Sequence, residues 1–308
     1  MRLFDLHCDT PFELYCKKQR LYENSLHISL KRSEVFDRYI QCAAVWSDCE
    51  KTDGEALSDF YSISDYFKNE ADRLLIKSKK ELERAQRGFV LTVEDMCFID
   101  SDISRVKELY DKGVRVGTVM WGGSTSLGAS HDAEGGLTPL GKATVSEMLS
   151  VGIIPDISHA NDTVTREIIE IARSAKKPAI ATHSNSRAVY HHTRNLPDSI
   201  AKDIADCGGI IGISLFPPHL AGERADISHI LSHLKHYVNI AGENTVCLGC
   251  DLDGIGSTPE GIGHIDDLPR VFDRLSKDLG YKIADKIFFS NAYNFFINNL
   301  PQKEKTVL

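Results

Sequence analysis

No apolar run in this sequence approaches eighteen residues, so no segment is long enough to cross a membrane as a helix. The first apolar residues already belong to a strand pattern at Leu3 rather than to a signal peptide, and the final Lys-Glu-Lys-Thr-Val-Leu is no hydrophobic anchor tail. The expectation is a cytoplasmic chain with reduced thiols and no membrane partner. Basic charge is also in short supply. Thirty-six Lys and Arg face 44 Asp and Glu, for a net charge of -8, which argues against nucleic acid and anionic lipid as partners. The densest basic cluster, Lys77, Lys79 and Lys80, runs straight into Glu81 and Glu83 and reads as a solvated helix face. A small molecule is the partner that remains.

Other absences narrow the fold. No Gly-x-Gly-x-x-Gly follows the first strand, which removes support for a dinucleotide-binding doubly wound sheet. No internal repeat, low-complexity tract or linker divides the chain, so residues 1–308 are expected to form a single domain. Eight cysteines include one C-x-x-C pair, Cys247 and Cys250, with no second pair to complete a zinc site. Residues three apart in a strand face opposite sides, so these two are expected to be packing residues.

What is present alternates. Apolar strand candidates begin near residues 3, 39, 89, 114, 153, 178, 209 and 246. Helical spacing is found over 11–19, 54–76, 103–112, 137–151, 163–175, 197–205, 227–240, 267–279 and 283–299. Alternating strand and helix over this length predicts an α/β fold, a (β/α)8 TIM-type barrel, with Phe288, Phe289, Tyr293, Phe295 and Phe296 of the last helix in its core. In such a barrel the active site lies at the C-terminal ends of the strands. His7 and Asp9 fall there, two residues apart and therefore on one face of an extended chain, with Cys8 on the other. Glu94, His159, His183 and Asp251 fall at later strand ends. Taken singly, each has an ordinary alternative as a loop acid or a hydrogen-bonded histidine. Together they set three imidazoles and three carboxylates around one mouth, the N/O donor set that zinc and related divalent metals accept.

The segments Asp5-Leu-His-Cys-Asp9, Gly136-Leu-Thr-Pro-Leu-Gly141, Asp156-Ile-Ser-His-Ala160, Thr182-His-Ser-Asn-Ser-Arg-Ala-Val189, Arg194-Asn-Leu-Pro-Asp198 and Gly249-Cys-Asp-Leu-Asp-Gly254, in this order and spacing, resemble the membrane (renal-type) dipeptidase family of zinc metallopeptidases within the amidohydrolase superfamily. The resemblance implies a homodimeric dipeptidase with two zinc ions. His7 and Asp9 would hold one ion, His159 and His183 the other, and Glu94 would bridge them. A hydroxide between the ions would attack L-Xaa-Xaa dipeptides whose second residue is L or D, with Asp251 as proton acceptor and donor and Asp253 as its nearby alternative. Arg194 matches the arginine that grips the substrate carboxylate; by spacing alone it reads as an exposed surface ion pair.

Two positions depart from the family pattern. Trp121 stands where a histidine contacts the developing oxyanion, so that it shapes the substrate pocket while zinc carries the oxyanion, or His131 or His192 fills in from a loop. Asp95 follows Glu94 where glycine is usual, adding a carboxylate expected to alter which substrates enter. The competing functions are a metal-dependent hydrolase of a lactone, cyclic amide or phosphoester, and a degenerate metal-binding member without turnover.

Overall fold

The computed structural model describes residues 1–48, 51, 53–100 and 102–302. Seven parallel strands form one sheet: β1 (Arg2–Asp5), β2 (Arg38–Trp46), β3 (Arg87–Glu94), β4 (Val116–Thr118), β5 (Ile154–Asp156), β6 (Ile211–Ile213) and β7 (Val246–Leu248). Their order is β5-β4-β3-β2-β1-β7-β6, which leaves β5 and β6 as the two edges. The strand expected from residue 178 lies between them, reduced to two parallel bridges, Asp156 to Ile180 and Ala181 to Ile211. Main-chain hydrogen bonds from Ile157 to Ile180 (2.8 Å) and from Gly212 to Ala181 (2.8 Å) close the ring on either side. The eighth strand is therefore present as a ring position but pairs too briefly to be a full strand.

Closure is visible in the packing. One buried apolar cluster collects Phe4, Ile40, Val90, Val116, Ile154, Ile180, Ile210 and Cys247, one residue from or beside each of eight positions around the ring. Phe289, Phe295 and Phe296 plug the amino-terminal end of this interior, with Phe296 stacked on Phe4 at 5.0 Å. The expected final helix is interrupted: Tyr281–Asp285 leads through a π-helical turn, Lys286–Ser290, into Asn291–Asn299. That wider turn sets Phe288 in the outer core while Phe289 reaches the plug.

The helices between strands bury their apolar faces on the outside of the ring. Asp162–Ser174 begins where Asn161, as N-cap, accepts the Val164 N–H through Oδ1 at 2.9 Å. Cys247 packs inside the barrel and Cys250 in the outer core, so the C-x-x-C pair is split between two packing layers. Among the described residues Cys8, Cys16, Cys42, Cys207, Cys247 and Cys250 are free thiols. Among the described residues no helix is long and apolar enough to cross a membrane.

Candidate metal centre

The first strand stops at Asp5, before either of its two expected ligands. Asp5 Oδ1 accepts the His7 N–H at 3.1 Å, a turn that bends the chain at the strand end, while Oδ2 accepts the Cys250 N–H at 2.9 Å and ties that bend to the end of β7. Asp156 repeats the device after β5, accepting the N–H groups of Ser158 (3.0 Å) and Thr182 (2.9 Å). His7, Asp9, His159 and His183 are thus aimed by two buried carboxylates that hold backbone rather than metal. His159 and Asp251 adopt left-handed backbone (φ 71° and 62°), a strain that marks sites held by their surroundings.

These bends bring the expected residues together. His7 Nε2 lies 3.3 Å from Asp9 Oδ2 and 3.7 Å from Glu94 Oε2. The other Glu94 oxygen, Oε1, faces His159 Nε2 at 3.0 Å and His183 Nε2 at 3.3 Å. Two donor sets, His7 with Asp9 and His159 with His183, share one carboxylate between them. Asp251 Oδ1 is 3.9 Å from His7 Nε2, and its Oδ2 accepts from Ser214 Oγ at 3.2 Å. Asp253 borders the same cavity, but Thr10 Oγ1 (2.6 Å) and the His27 N–H (2.6 Å) occupy its two oxygens.

The donors fit a divalent cation. His7 Nε2 and Asp9 Oδ1 are buried without a hydrogen-bond partner, a costly arrangement unless a ligand completes them. Burial first, and then the neighbouring Glu94, push Asp9 up to about 8, against the lowering effect of His7. Against the cost of its own burial, Glu94 is held well below the usual carboxylate range by His7, His159 and His183. Burial and the Arg194 charge bring His159 down to about 4, while burial, His7 and Arg194 put His183 well below its ordinary value. Both rings are therefore neutral, the form in which imidazole ligates. Thr182 Oγ1 sits 2.8 Å from His183 Nδ1 and donates to Asp156 at 2.5 Å, fixing that ring from behind.

A cavity of about 440 Å³ opens above the centre, lined by Asp9, Glu94, His159 and Asp251. Trp121 lines it, 45% exposed, with its ring edge-on to Trp46 at 5.4 Å, and Trp46 in turn meets Phe12 at 5.1 Å. Of the two loop histidines, His131 lines the cavity and His192 does not. Arg194 is not the surface ion pair that its spacing suggested. It is 3% exposed and stands behind the lining, with Nη1 donating to Ser184 Oγ (2.8 Å) and Nη2 to the His183 carbonyl (3.0 Å). Asp95 does not face the cavity either. It is buried with φ 65°, where glycine is easiest, and its carboxylate accepts main-chain N–H bonds from Cys97 and Trp121. It orders the strand ends rather than charging the entrance.

The lining also holds residues that the sequence reading passed over: Phe12, Trp46 and His219. Trp46 ends β2 and His219 lies six residues beyond β6, so the strand-end rule that found the ligands would have found Trp46.

A parallel barrel that carries two donor sets sharing one carboxylate at the C-terminal mouth of its strands is the architecture of a metal-dependent amidohydrolase-type protein. Residues 1–296 match the model of the membrane dipeptidase family, peptidase family M19, and the chain belongs to that family. An uncharacterized dipeptidase of Schizosaccharomyces pombe is 27% identical over 209 residues, covering 65% of this chain and 50% of its own length. An uncharacterized Klebsiella pneumoniae protein from the pqqA 5' region is 30% identical over 236 residues, covering 70% of this chain and 85% of its own. The match to the S. pombe relative thus spans half of that protein. A metallopeptidase from Rhodobacter sphaeroides, solved with a phosphinate mimic of the dipeptide L-Ala-D-Ala, shares the fold at a TM-score of 0.84 and 20% identity, over 97% of this chain and 99% of that one.

Proposed function

We propose that this chain is a zinc-dependent dipeptidase with two ions per site, cleaving L-Xaa-Xaa dipeptides whose second residue is L or D. The observation that carries the reading is the division of Glu94, one oxygen toward His7 and the other toward His159 and His183. Two cations about 3.5–4 Å apart need such a shared anion to offset their repulsion. Bound zinc would supply Lewis acidity at the scissile carbonyl and lower the pKa of water from about 15.7 to about 7.

The chain's own residues do the rest. Asp251 is held by Ser214 through Oδ2, leaving Oδ1 on the centre's side to take a proton from water and return it to the leaving amine. In the metal-free chain, burial raises Asp251 to about 6. Trp46 and Trp121 cover apolar surface of the substrate and exclude water. The family likeness also carries the expectation of a homodimer, which light scattering of the purified protein checks.

The test is release of free amino acids from a panel of L,L and L,D dipeptides by zinc-loaded protein, beside Asp251→Asn. Turnover that falls by about 10²-fold or more in the variant, with metal content unchanged, is the expected result. Absence of turnover on every dipeptide by protein holding two ions would remove the peptidase reading.

A further inference from the structure

Asp95 occupies a backbone conformation that suits glycine and a burial that does not suit a carboxylate. At φ 65° an L side chain is strained, and this residue is 1% exposed. Two main-chain bonds offset those costs: Asp95 accepts the Cys97 N–H at 3.1 Å and also the Trp121 N–H. The first closes a local turn. The second crosses from the end of β3 to the segment after β4, beside the longer Met96 N–H to Val119 carbonyl bond at 3.4 Å. Beyond Trp121 the chain packs against little. Gly122 and Gly123 follow, and among the described residues no atom other than those of their chain neighbours lies within 4 Å of where a Cβ would stand on either. The Trp121 backbone is thus held from its amino side, by Asp95.

What Asp95 holds is the last ring of a series. Phe12 meets Trp46 edge-on at 5.1 Å and 89°, and Trp46 meets Trp121 edge-on at 5.4 Å and 68°. All three rings line the cavity, and Trp121, 45% exposed, is the uncovered end. On the metal side its neighbour is the His159 ring at 6.0 Å. Another planar ring continues such a series in the geometry that aromatic pairs prefer. A cationic side chain finds less here. Glu13 is ion-paired with Lys17 at 2.5 Å, and Asp132 Oδ1 already accepts from the Gly123 N–H and from Ser130 Oγ.

Resting on the dipeptide reading, we propose that Trp121 selects dipeptides carrying an aromatic side chain, and that Asp95 is the positioning residue that holds Trp121 for this contact. The substrate ring packs on the exposed indole and extends the row that begins at Phe12. Asp95 touches no substrate and acts only through the main chain of Trp121.

The probes are non-hydrolysable phosphinate dipeptide mimics with an alanine, phenylalanine, cyclohexylalanine or lysine side chain in the first or the second position, titrated into zinc-loaded protein by calorimetry. In one of the two positions wild type is expected to prefer phenylalanine over alanine by at least about tenfold, from burial of the ring. It should prefer phenylalanine over the saturated ring by roughly two- to tenfold, the part that belongs to aromatic pairing. Trp121→Leu should abolish the second preference. Asp95→Gly, which relieves the left-handed backbone and so folds readily, should lower it toward one, and Asp95→Asn, which keeps an acceptor oxygen, should restore part of it.

A second readout needs neither metal nor ligand. The chain has two tryptophans, so Trp46→Phe leaves Trp121 as the sole indole fluorophore, and its anisotropy decay reports how firmly the ring is held. In that background Asp95→Gly should add a fast component. The proposal is overturned by a wild type that does not favour phenylalanine in either position, that binds cyclohexylalanine equally, or that favours lysine. It is overturned as well if Trp121→Leu keeps the aromatic preference, or if Asp95→Gly leaves both that preference and the Trp121 decay unchanged. Protein that shows the expected pattern yet releases no amino acid from any dipeptide would sink the hydrolase reading and leave this subsite standing.

Discussion

Replacing Gly254 by alanine adds one methyl group at a position where the chain's backbone is ordinary but its neighbours are not. A Cβ built there lies 2.1 Å from Asp9 Oδ2 and 2.8 Å from Asp251 Oδ1. Ordinary contact begins near 3.4 Å, so the Asp9 carboxylate has to retreat by about 1.3 Å and that of Asp251 by about 0.6 Å. Gly254 is absent from the positive-φ glycines, so alanine brings no backbone strain there and the damage is confined to the two carboxylates. Misplacement of a reacting group by about 1 Å costs on the order of 10²-fold in rate. Displacing a ligand oxygen is expected to weaken metal binding by at least the 10- to 100-fold, roughly, that follows loss of a ligand's supporting contact. Gly254→Ala should therefore retain a metal-free melting temperature within a few degrees of wild type, since surface substitutions shift stability by about 0.5 kcal/mol or less. It should require more zinc for saturation in a competitive-chelator titration and turn over dipeptides about 10²-fold more slowly. Wild-type zinc affinity and turnover in this variant would refute the placement of Asp9 and Asp251 beside one another at the centre.

Two further predictions follow from side chains behind the ligands. Thr182→Val removes the hydroxyl that links Asp156 to His183 Nδ1 and is expected to lower zinc affinity by about 10- to 100-fold with circular dichroism unchanged. Burial, with Glu94 adding to it, raises Asp95 to about 7 in the folded chain against about 3.9 unfolded, so the folded state binds the extra proton between those values. Stability of the chelated protein should be greatest below about pH 4 as far as this group is concerned, and fall as pH rises toward 7, by on the order of 1.4 kcal/mol per unit. Asp95→Asn should flatten that slope in urea melts across this window, and an unchanged slope would show that Asp95 does not titrate as its burial requires.

Much of the fold was legible because parallel barrel strands are buried on both faces and read as apolar runs, as Tyr39–Val45 in β2 does. The eighth strand was legible as a run but not as a bridge-only element, because its pairing length depends on the register of β5 and β6 rather than on residues 178–182. The six groups expected at the mouth, His7, Asp9, Glu94, His159, His183 and Asp251, converge because each lies at or just beyond a strand end, a position that periodicity reveals. Asp5 and Asp156 stood inside the quoted segments, yet their work is hydrogen bonding to backbone far away in the chain, which spacing does not disclose. Arg194 was misjudged as exposed by spacing for a similar reason: its partners, Ser184 and the His183 carbonyl, are brought to it by a loop. His219 follows a proline pair in a short helix, Pro217–Leu220, whose approach to the centre is set by tertiary packing alone.

The most direct measurement is zinc stoichiometry by mass spectrometry under native conditions, on wild type and on Glu94→Gln, with dipeptide turnover measured on the same samples. A bridging Glu94 predicts two ions per wild-type chain, fewer than two in the variant at the same free zinc, and loss of turnover together with the lost ion. Two tightly held ions and wild-type turnover in Glu94→Gln would contradict the shared carboxylate on which the function proposed for this barrel rests.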